Sequence, residues 1–289
     1  MDKILDWWPS PAKLNLFLHI NGRYPNGYHQ LQSLFQLLDR GDELAFTVTK
    51  QPTIELLTPL PGVDHEDNLV VKAARLLQKQ CKLAQGCKIS LRKNLPMGGG
   101  IGGGSSNAAT TLVVLNHLWG CNLSLAALAE LGLQLGADVP IFVLGQTAFA
   151  QGVGEQLFPV VLSETHYLVV FPHCHVSTAD VFGADELPRD TAKINFQDYQ
   201  FNQTHNDCQK LVCKRYPNVA NALAWLLEYA PSRMTGTGAC LFAIFASHQE
   251  AKRVLAKLPA DCSGFVAQGV NGSLLHDKLF RQQKARDQL

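Results

Sequence analysis

Residues 96–107 read PMGGGIGGGSSN, in which six glycines surround Ile101. Glycine has no Cβ and reaches positive φ easily, but inside regular structure it is destabilising by roughly 0.5–1 kcal/mol relative to alanine. A folded chain keeps such a run where something must approach its main chain closely. The residues on either side of the run indicate what approaches.

A strand is predicted before the run and a helix after it. Residues 87–92 form the strand, residues 93–97 a turn, and residues 108–119 are apolar at helical spacing. The Ser-Ser-Asn of residues 105–107 offers good N-cap types. A bare main chain that enters a helix directs several N–H groups and the positive end of a dipole at one point, which favours phosphate. We predict a phosphate-binding loop; the alternative is a flexible linker, although linkers rarely lead directly into an apolar helix.

Three known classes of phosphate loop do not fit this run. It satisfies G-x-G-x-x-G, but a dinucleotide fold places the loop directly after a strand and an acid about 20 positions later. Here a turn intervenes, and the first acid downstream is Glu130. A Walker-type loop ends in Gly-Lys-Ser/Thr, whereas Ser105 directly follows Gly104. A protein kinase also needs His-Arg-Asp and Asp-Phe-Gly, and neither tripeptide occurs.

The composition is that of a globular protein of one large or two ordinary domains. The 289 residues are 46% hydrophobic and 17% charged, with a net charge of +1. This charge gives no reason to expect a nucleic-acid or membrane partner. Residues 1–8 contain an early acid and no signal-peptide core, and no apolar run reaches transmembrane length. The eight cysteines form no CxxC pair, so we predict free thiols in a cytoplasmic protein.

The order of elements predicts an α+β fold with two domains, residues 1–160 and 161–289, that join near residues 155–165. In the first domain the predicted strands are 13–20, 43–49, 53–57, 87–92 and 146–151, and the further helices are 69–80, capped by Asp67, and 124–135. In the second domain they are the strands 167–171, 239–245 and 264–270 and the helices 216–229 and 249–258. The polar tail 281–289 is expected to fray.

The predicted strand 13–20 begins with Lys13 and continues through Asn15, and its alternation separates Leu14 and Leu18 on one face from Lys13 and Phe17 on the other. By itself, a lysine in this position is more often a solvated edge residue than a functional one. Asp138, in Gly-Ala-Asp-Val-Pro, has a similarly ordinary interpretation as the cap of the next helix.

Two turns also have a structural and a functional interpretation. Tyr28 and His29 follow Asn26-Gly27 and are either half-exposed loop residues or a platform for a flat, polar base. The Thr-Gly-Thr-Gly of residues 235–238 is either a tight turn or a place where main chain passes close to a ligand or to another chain segment.

Five segments taken together are more specific than any one of them. Their order resembles that of the GHMP small-molecule kinases, which include galactokinase, homoserine kinase and mevalonate kinase. The resemblance covers residues 8–276, and the segments are SPAKLNL (10–16), NGYH (26–29), PMGGGIGGGSSN (96–107), GADVP (136–140) and TGTGAC (235–240). It implies that ATP and substrate bind in the cleft between an N-terminal α+β domain and a C-terminal ferredoxin-like α/β sandwich. Asn26 departs from the aspartate frequent in the family, but is expected to keep the turn.

The resemblance also implies a role for individual residues. Lys13 and Asp138 would be catalytic: the aspartate would accept or orient the acceptor hydroxyl, and the lysine would hold it ionised. Asn68, Leu69 and Lys93 would lie against the adenine, and Ser106 is the candidate Mg²⁺ ligand. The ATP phosphates would be held by Pro96, Met97, Gly98, Gly99, Gly100, Ile101, Gly102, Gly103, Gly104, Ser105 and Ser106.

Within the superfamily, the segments 10–16 and 26–29 resemble the branch whose acceptor carries a cytidine diphosphate group. Tyr28 and Phe182 would stack on the base and His29 would bind its edge. The full set of implied substrate residues is Asn15, Tyr28, His29, Phe182, Thr235, Gly236, Thr237 and Gly238. Two alternatives remain open, namely a kinase of the homoserine or mevalonate type and a non-catalytic nucleotide-binding protein. A monomer and a weak homodimer are both compatible with the sequence.

Overall fold

Residues 5–287 are described by a computed structural model and form ten strands and nine α-helices. The strands are β1 (Trp7–Arg23), β2 (His29–Thr49), β3 (Ile54–Leu56), β4 (Gly86–Arg92), β5 (Ala148–Gln151), β6 (Gln156–Pro159), β7 (His166–Phe171), β8 (Ser232–Met234), β9 (Leu241–Phe245) and β10 (Ser263–Val270). The helices are α1 (Leu69–Gln80), α2 (Gly103–Leu118), α3 (Leu125–Leu133), α4 (Val139–Leu144), α5 (Thr178–Phe182), α6 (Asp207–Arg215), α7 (Pro217–Leu227), α8 (His248–Leu255) and α9 (Leu274–Asp287).

The N-terminal half is built on the long antiparallel pair β1 and β2, in which Trp7 lies opposite Ala45. Strands β4 and β5 also pair with β2, and β3 runs parallel to β4. Apolar residues of α1, α2 and α4 pack together with this sheet into one core cluster. Lys13 and Asn15 of the site described below lie on β1, and the glycine loop and Asp138 lie at the N-terminal ends of α2 and α4.

The predicted alternation along β1 is wrong, because the pairing with β2 shifts between Asn15 and Leu18. An irregular register of this kind reorients the side chains that follow it. As a result Leu14 and Phe17 lie in the same buried cluster, whereas Leu18 packs with the C-terminal half.

The C-terminal half confirms the predicted ferredoxin-like sandwich. Its strands are arranged in the order β10-β7-β9-β8, and every neighbouring pair is antiparallel. Helices α6 and α7 connect β7 to β8, and α8 connects β9 to β10, which gives the β-α-β-β-α-β succession. Apolar residues of α6, α7 and α8 share one cluster with β7 and β9. Strand β8, only three residues long, was not predicted.

A single sheet passes through both halves, because β10 pairs with β2 at Gly269–Leu38 and Val270–Leu37. Helix α9 returns to the N-terminal half, where Leu275 joins the core cluster of α1 and α2. The expected fraying of the tail is therefore wrong for residues 281–287, which continue α9, while residues 288–289 lie outside the described part. Residues 1–4 of the segment searched for a signal peptide also lie outside it.

Two predicted helix caps differ from the structure. The N-cap of α1 is Asn68, whose Oδ1 accepts from the Val70 N–H at 2.9 Å, while the exposed Asp67 pairs with Lys72. Helix α2 begins at Gly103, so the three residues 105–107 lie in its first turns rather than at its cap. Among residues 5–287, no helix has both the length and the apolar character needed to cross a membrane.

Candidate active site

The glycine loop contains three left-handed residues at alternating positions, Gly98 (φ 69°), Gly100 (φ 73°) and Gly102 (φ 76°). A Cβ on Gly100 would lie 2.7 Å from the Thr235 carbonyl oxygen, and one on Gly102 would lie 2.6 Å from the Phe142 ring. Other parts of this protein, the main chain at Thr235 and the ring of Phe142, therefore occupy some of the space that the glycines leave open. From the sequence, only a bound phosphate was predicted at this point.

The second glycine turn, Thr235–Gly238, packs directly on this loop. The Cys240 N–H donates to the Gly99 carbonyl at 3.0 Å, and a Cβ on Gly236 would lie 3.0 Å from the Gly100 oxygen. From the other side, the Lys13 N–H donates to the Ile101 carbonyl, also at 3.0 Å. Both halves of the molecule therefore hold the loop in place.

The loop and the start of α2 border a cavity of about 590 Å³. Its lining includes all but one of the residues predicted for ATP: Asn68, Leu69, Lys93, Pro96, Met97, Gly98, Gly99, Gly100, Ile101, Gly102, Gly103, Gly104 and Ser105. Ser106 is the exception, because it is fully buried and its hydroxyl accepts a hydrogen bond from Ser10 at 2.9 Å. Helix α2 directs its N-terminal N–H groups toward this space, as an anion site requires.

Asp42 is a fully buried carboxylate that binds two residues of the cavity wall, Lys93 and Asn107, and it was not predicted from the sequence. Its oxygens accept from the N–H groups of Asn94 (2.8 Å) and Leu95 (2.9 Å) and from the Asn107 amide (3.0 Å). Asp42 also pairs with the ammonium of Lys93. It thereby ties the turn after β4 to α2 and holds Lys93 at the cavity wall. No local motif marked it, since Asp-Arg-Gly-Asp looks like a turn and lies inside β2.

Lys13 and Asp138 form an ion pair with 3.2 Å between Nζ and Oδ2. The Lys13 side chain is 3% exposed and that of Asp138 is 37% exposed. Nζ also donates to Asn15 Oδ1 and, at 3.3 Å, to the Gly100 carbonyl. Three acceptors thus surround the three donors of the ammonium. The ordinary interpretations of both residues are wrong: Lys13 is buried, and the Asp138 side chain makes no capping bond to α4.

Asn15 connects this ion pair to both halves of the molecule. Its amide Nδ2 donates to Ser33 Oγ at 2.8 Å, and its main-chain N–H donates to Thr235 Oγ1 at 2.9 Å. Asn15, Lys13 and Asp138 line a second cavity of about 290 Å³, to which Gly236 and Thr237 also contribute. Thr235 itself is fully buried, and the Gly238 carbonyl packs on Gly100.

A third cavity of about 540 Å³ is lined by Tyr28, His29 and Phe182. The Tyr28 side chain is 64% exposed, and the rings of His29 and Phe182 lie 5.1 Å apart. Asn26 Oδ1 accepts from the Tyr28 N–H at 3.1 Å, so asparagine does keep the turn. Arg189, which no motif in the sequence marked, donates from Nε to His29 Nε2 at 3.0 Å.

The three cavities adjoin one another. The second shares Gly100, Ser105 and Asp138 with the first, and it shares Thr178 and Phe182 with the third. A larger cleft of about 770 Å³, which Arg40 and His248 line, does not include the ion pair. The arrangement places a cation–carboxylate pair between a phosphate cradle and an aromatic platform, where a group could pass from one ligand to another.

No cluster of three or more His, Cys, Asp or Glu side chains within residues 5–287 could hold a metal ion. A cation such as Mg²⁺, which is commonly bound by substrate phosphates with one or two protein oxygens, does not need such a cage. Ser105 and Asp138 supply two oxygen-bearing side chains to the wall of the first cavity. These residues fit Mg²⁺ carried on a nucleoside triphosphate.

Comparisons with known proteins agree with this geometry. The profile of the GHMP kinases N terminal domain matches residues 68–146, and that of the GHMP kinases C terminal matches residues 192–264. The 4-diphosphocytidyl-2-C-methyl-D-erythritol kinase of Pseudoalteromonas atlantica is 74% identical over 96% of this chain and 98% of its own length. The protein of the same name from Colwellia psychrerythraea is 58% identical over 93% of this chain and 91% of its own.

Solved structures show the same relationship. A crystal structure of 4-(cytidine 5'-diphospho)-2C-methyl-D-erythritol kinase superposes with a TM-score of 0.81 at 29% identity, covering 92% of this chain and 100% of that one. The Methanococcus jannaschii mevalonate kinase reaches a TM-score of 0.66 at 15% identity over 94% of this chain and all of its own. At that identity the likeness concerns the fold alone.

Proposed function

Since this chain belongs to the GHMP kinase family, we propose that it phosphorylates the 2-hydroxyl of 4-diphosphocytidyl-2-C-methyl-D-erythritol with ATP. It is a small-molecule kinase, and its products are the 2-phosphate and ADP. The reaction belongs to the non-mevalonate route to isopentenyl diphosphate. The observation that carries the proposal is the Lys13–Asp138 pair: both residues line the cavity that leads to the aromatic platform, and Asp138 also lines the cavity of the glycine loop.

ATP occupies the first cavity. Its phosphates lie against the main chain of residues 98–104 and the N-terminus of α2, where N–H groups and the helix dipole stabilise negative charge. The adenine lies beside Asn68, Leu69 and Lys93. The Ser105 hydroxyl, which lines this cavity, would hold a Mg²⁺ ion carried by ATP, and the ion would offset negative charge on the phosphates. Ser106, the ligand proposed from the sequence, is buried and bonded to Ser10 in this structure.

Asp138 orients the acceptor hydroxyl for in-line attack and accepts its proton late in the reaction. A carboxylate is a weak base toward an alcohol in the ground state. A loose transition state removes this difficulty, because the alcohol becomes acidic only as the new bond forms. The Lys13 ammonium pairs with this carboxylate and offsets the charge of the transferring phosphoryl group.

The cytidylyl group occupies the third cavity, with its base between Tyr28 and Phe182 and its edge on His29. Asn15, Gly236 and Thr237 line the second cavity beside the methylerythritol part, and Thr235 and Gly238 support them. Homoserine and mevalonate contain no nucleobase, so a kinase of either type would not need an aromatic platform for one. A non-catalytic protein has no need of a buried lysine paired with a carboxylate, so both alternatives are disfavoured.

We place the domains at residues 1–160 and 161–289 and the protein in the cytoplasm. The first domain supplies the glycine loop, Lys13 and Asp138, and the second supplies Phe182 and the turn at residues 235–238. The boundary falls between β6 and β7, the last strand of one half and the first strand of the other.

Replacing His29 with alanine is expected to raise KM for the cytidylyl substrate roughly tenfold, the effect of one lost hydrogen bond. KM for ATP should not change, because His29 lines the third cavity and not the first. Steady-state kinetics with each substrate varied in turn measure both constants. His248→Ala, at an exposed histidine of α8, is the control. Equal losses for the two substrates would contradict a contact with the base.

A further inference from the structure

Arg189 lies between two elements of the third cavity and touches both. Its NH2 group donates to the carbonyls of Phe182 (3.2 Å) and Ala184 (2.7 Å), and NH1 donates to that of Leu187 (3.0 Å). Nε donates to His29 Nε2 at 3.0 Å. One half-buried guanidinium therefore fixes the end of α5, which carries Phe182, relative to the histidine at the start of β2.

The contact with Arg189 determines which nitrogen of His29 carries the proton. A guanidinium has N–H donors and no acceptor, so Nε2 must be the unprotonated, accepting nitrogen. The proton of the neutral imidazole then lies on Nδ1. Burial, reinforced by the charges of Arg189 and Arg23, lowers the pKa of His29, so the ring is neutral at physiological pH.

Within residues 5–287, Nδ1 of His29 has no hydrogen-bond partner, although His29 is only 9% exposed and lines the cavity. A donor in this position matches a ligand edge that accepts hydrogen bonds. Cytosine offers such an edge, because its N3 carries no proton, whereas N3 of uracil carries one. A site built around a fixed donor rejects a ligand that presents another donor to it.

We propose that Arg189 is a positioning residue, which locks His29 as the Nδ1–H tautomer and thereby makes the cavity select cytosine over uracil. This inference rests on the proposed function, since it assumes that the cytidylyl base lies at His29. Arg189 itself touches neither the base nor the reacting atoms. It acts through the histidine, and its second task is to keep Phe182 beside the histidine ring.

The first test is the ¹⁵N NMR spectrum of His29 in the unliganded wild-type protein, which involves no substrate. We expect a protonated Nδ1 and an unprotonated Nε2. In Arg189→Gln the lock is absent, and we expect a mixture of tautomers. A wild-type spectrum with the proton on Nε2 would overturn the proposal and leave the proposed function untouched.

The second test is a double-mutant cycle on KM for the cytidylyl substrate. Arg189→Gln is expected to raise this KM about tenfold with kcat and KM for ATP unchanged, and to raise it by clearly less once His29 is alanine, because only the hold on Phe182 then remains to be lost. The wild-type preference for the cytidylyl over the uridylyl analogue, at least about tenfold, should fall to less than about threefold. Arg215→Gln is the control, because Arg215 also binds a carbonyl of α5, that of Asp180, but does not contact His29.

Additive effects of the two substitutions, or an unchanged preference for cytosine in Arg189→Gln, would overturn the proposal. Failure of the proposed function gives a different result, because wild-type protein would then not turn over the cytidylyl substrate at all. If Arg189→Gln does not fold, the wild-type spectrum alone still decides the tautomer.

Discussion

Replacing Asp138 with asparagine is expected to lower kcat by roughly 10²- to 10⁴-fold, the range that general acid–base groups contribute. Asparagine has nearly the same shape as aspartate, but it cannot take up the proton of the acceptor hydroxyl. It also removes the negative charge that lies 3.2 Å from the Lys13 ammonium. The lysine keeps its bonds to Asn15 and to the Gly100 carbonyl, so the site should hold its geometry.

The measurement is single-turnover phosphoryl transfer under saturating ATP and acceptor, together with ATP binding at equilibrium. ATP affinity should remain within about threefold of wild type, because the glycine loop and the residues beside the adenine, which make most of the nucleotide contacts, are left in place. Asp180→Asn, at an exposed carboxylate of α5, controls for the loss of a surface charge. Turnover of Asp138→Asn within about tenfold of wild type would remove Asp138 from the chemistry.

Replacing Gly100 with alanine is expected to reduce kcat/KM for ATP about 100-fold, since small misplacements of reacting groups have effects of that size. Gly100 has φ 73°, and its added Cβ would lie 2.7 Å and 2.8 Å from the carbonyl oxygens of Thr235 and Gly238. These atoms belong to main chain that cannot simply rotate away. The loop must therefore shift relative to Lys13, which donates to both Gly100 and Ile101.

Thermal or denaturant unfolding of the Gly100→Ala protein measures the loss of stability separately from the loss of activity. The left-handed conformation of an alanine costs roughly 1–2 kcal/mol, and the clash adds roughly 1–3 kcal/mol. Gly120 has nearly the same φ, 68°, but a Cβ there meets nothing within 4 Å, so Gly120→Ala should show only the smaller loss and normal activity. Equal effects of the two substitutions would contradict the packing of the loop on residues 235–238.

Local patterns were sufficient to predict the features that depend on neighbouring residues in the chain. The loop-to-helix junction and the turn at Asn26 depend on backbone conformation and on side chains a few positions away. An α+β sandwich in the C-terminal half could also be predicted, because its strands and helices alternate, whereas its ferredoxin-like form was implied by the resemblance. The resemblance to the GHMP kinases then brought the separate segments to one site.

The remaining features depend on contacts between residues that lie far apart in the sequence. Asp42 lies more than 50 positions from Lys93 and Asn94, so no spacing rule connects them. Arg189 meets His29 across 160 positions. Lys13 looked like an edge residue because the sequence shows neither the pairing of β1 with β2 nor the turn that closes over it. The glycines, similarly, could not reveal that part of the close approach comes from the chain itself.

Phosphoryl transfer to a panel of acceptors, followed by ³¹P NMR of the product, tests the central claim most directly. The panel contains 4-diphosphocytidyl-2-C-methyl-D-erythritol, homoserine, mevalonate and galactose, each with MgATP. We predict rapid ATP consumption with the first alone and a new phosphomonoester signal at its 2-position. No turnover of the cytidylyl substrate, or faster turnover of another acceptor, would contradict the assignment of the third cavity to a cytidine diphosphate group.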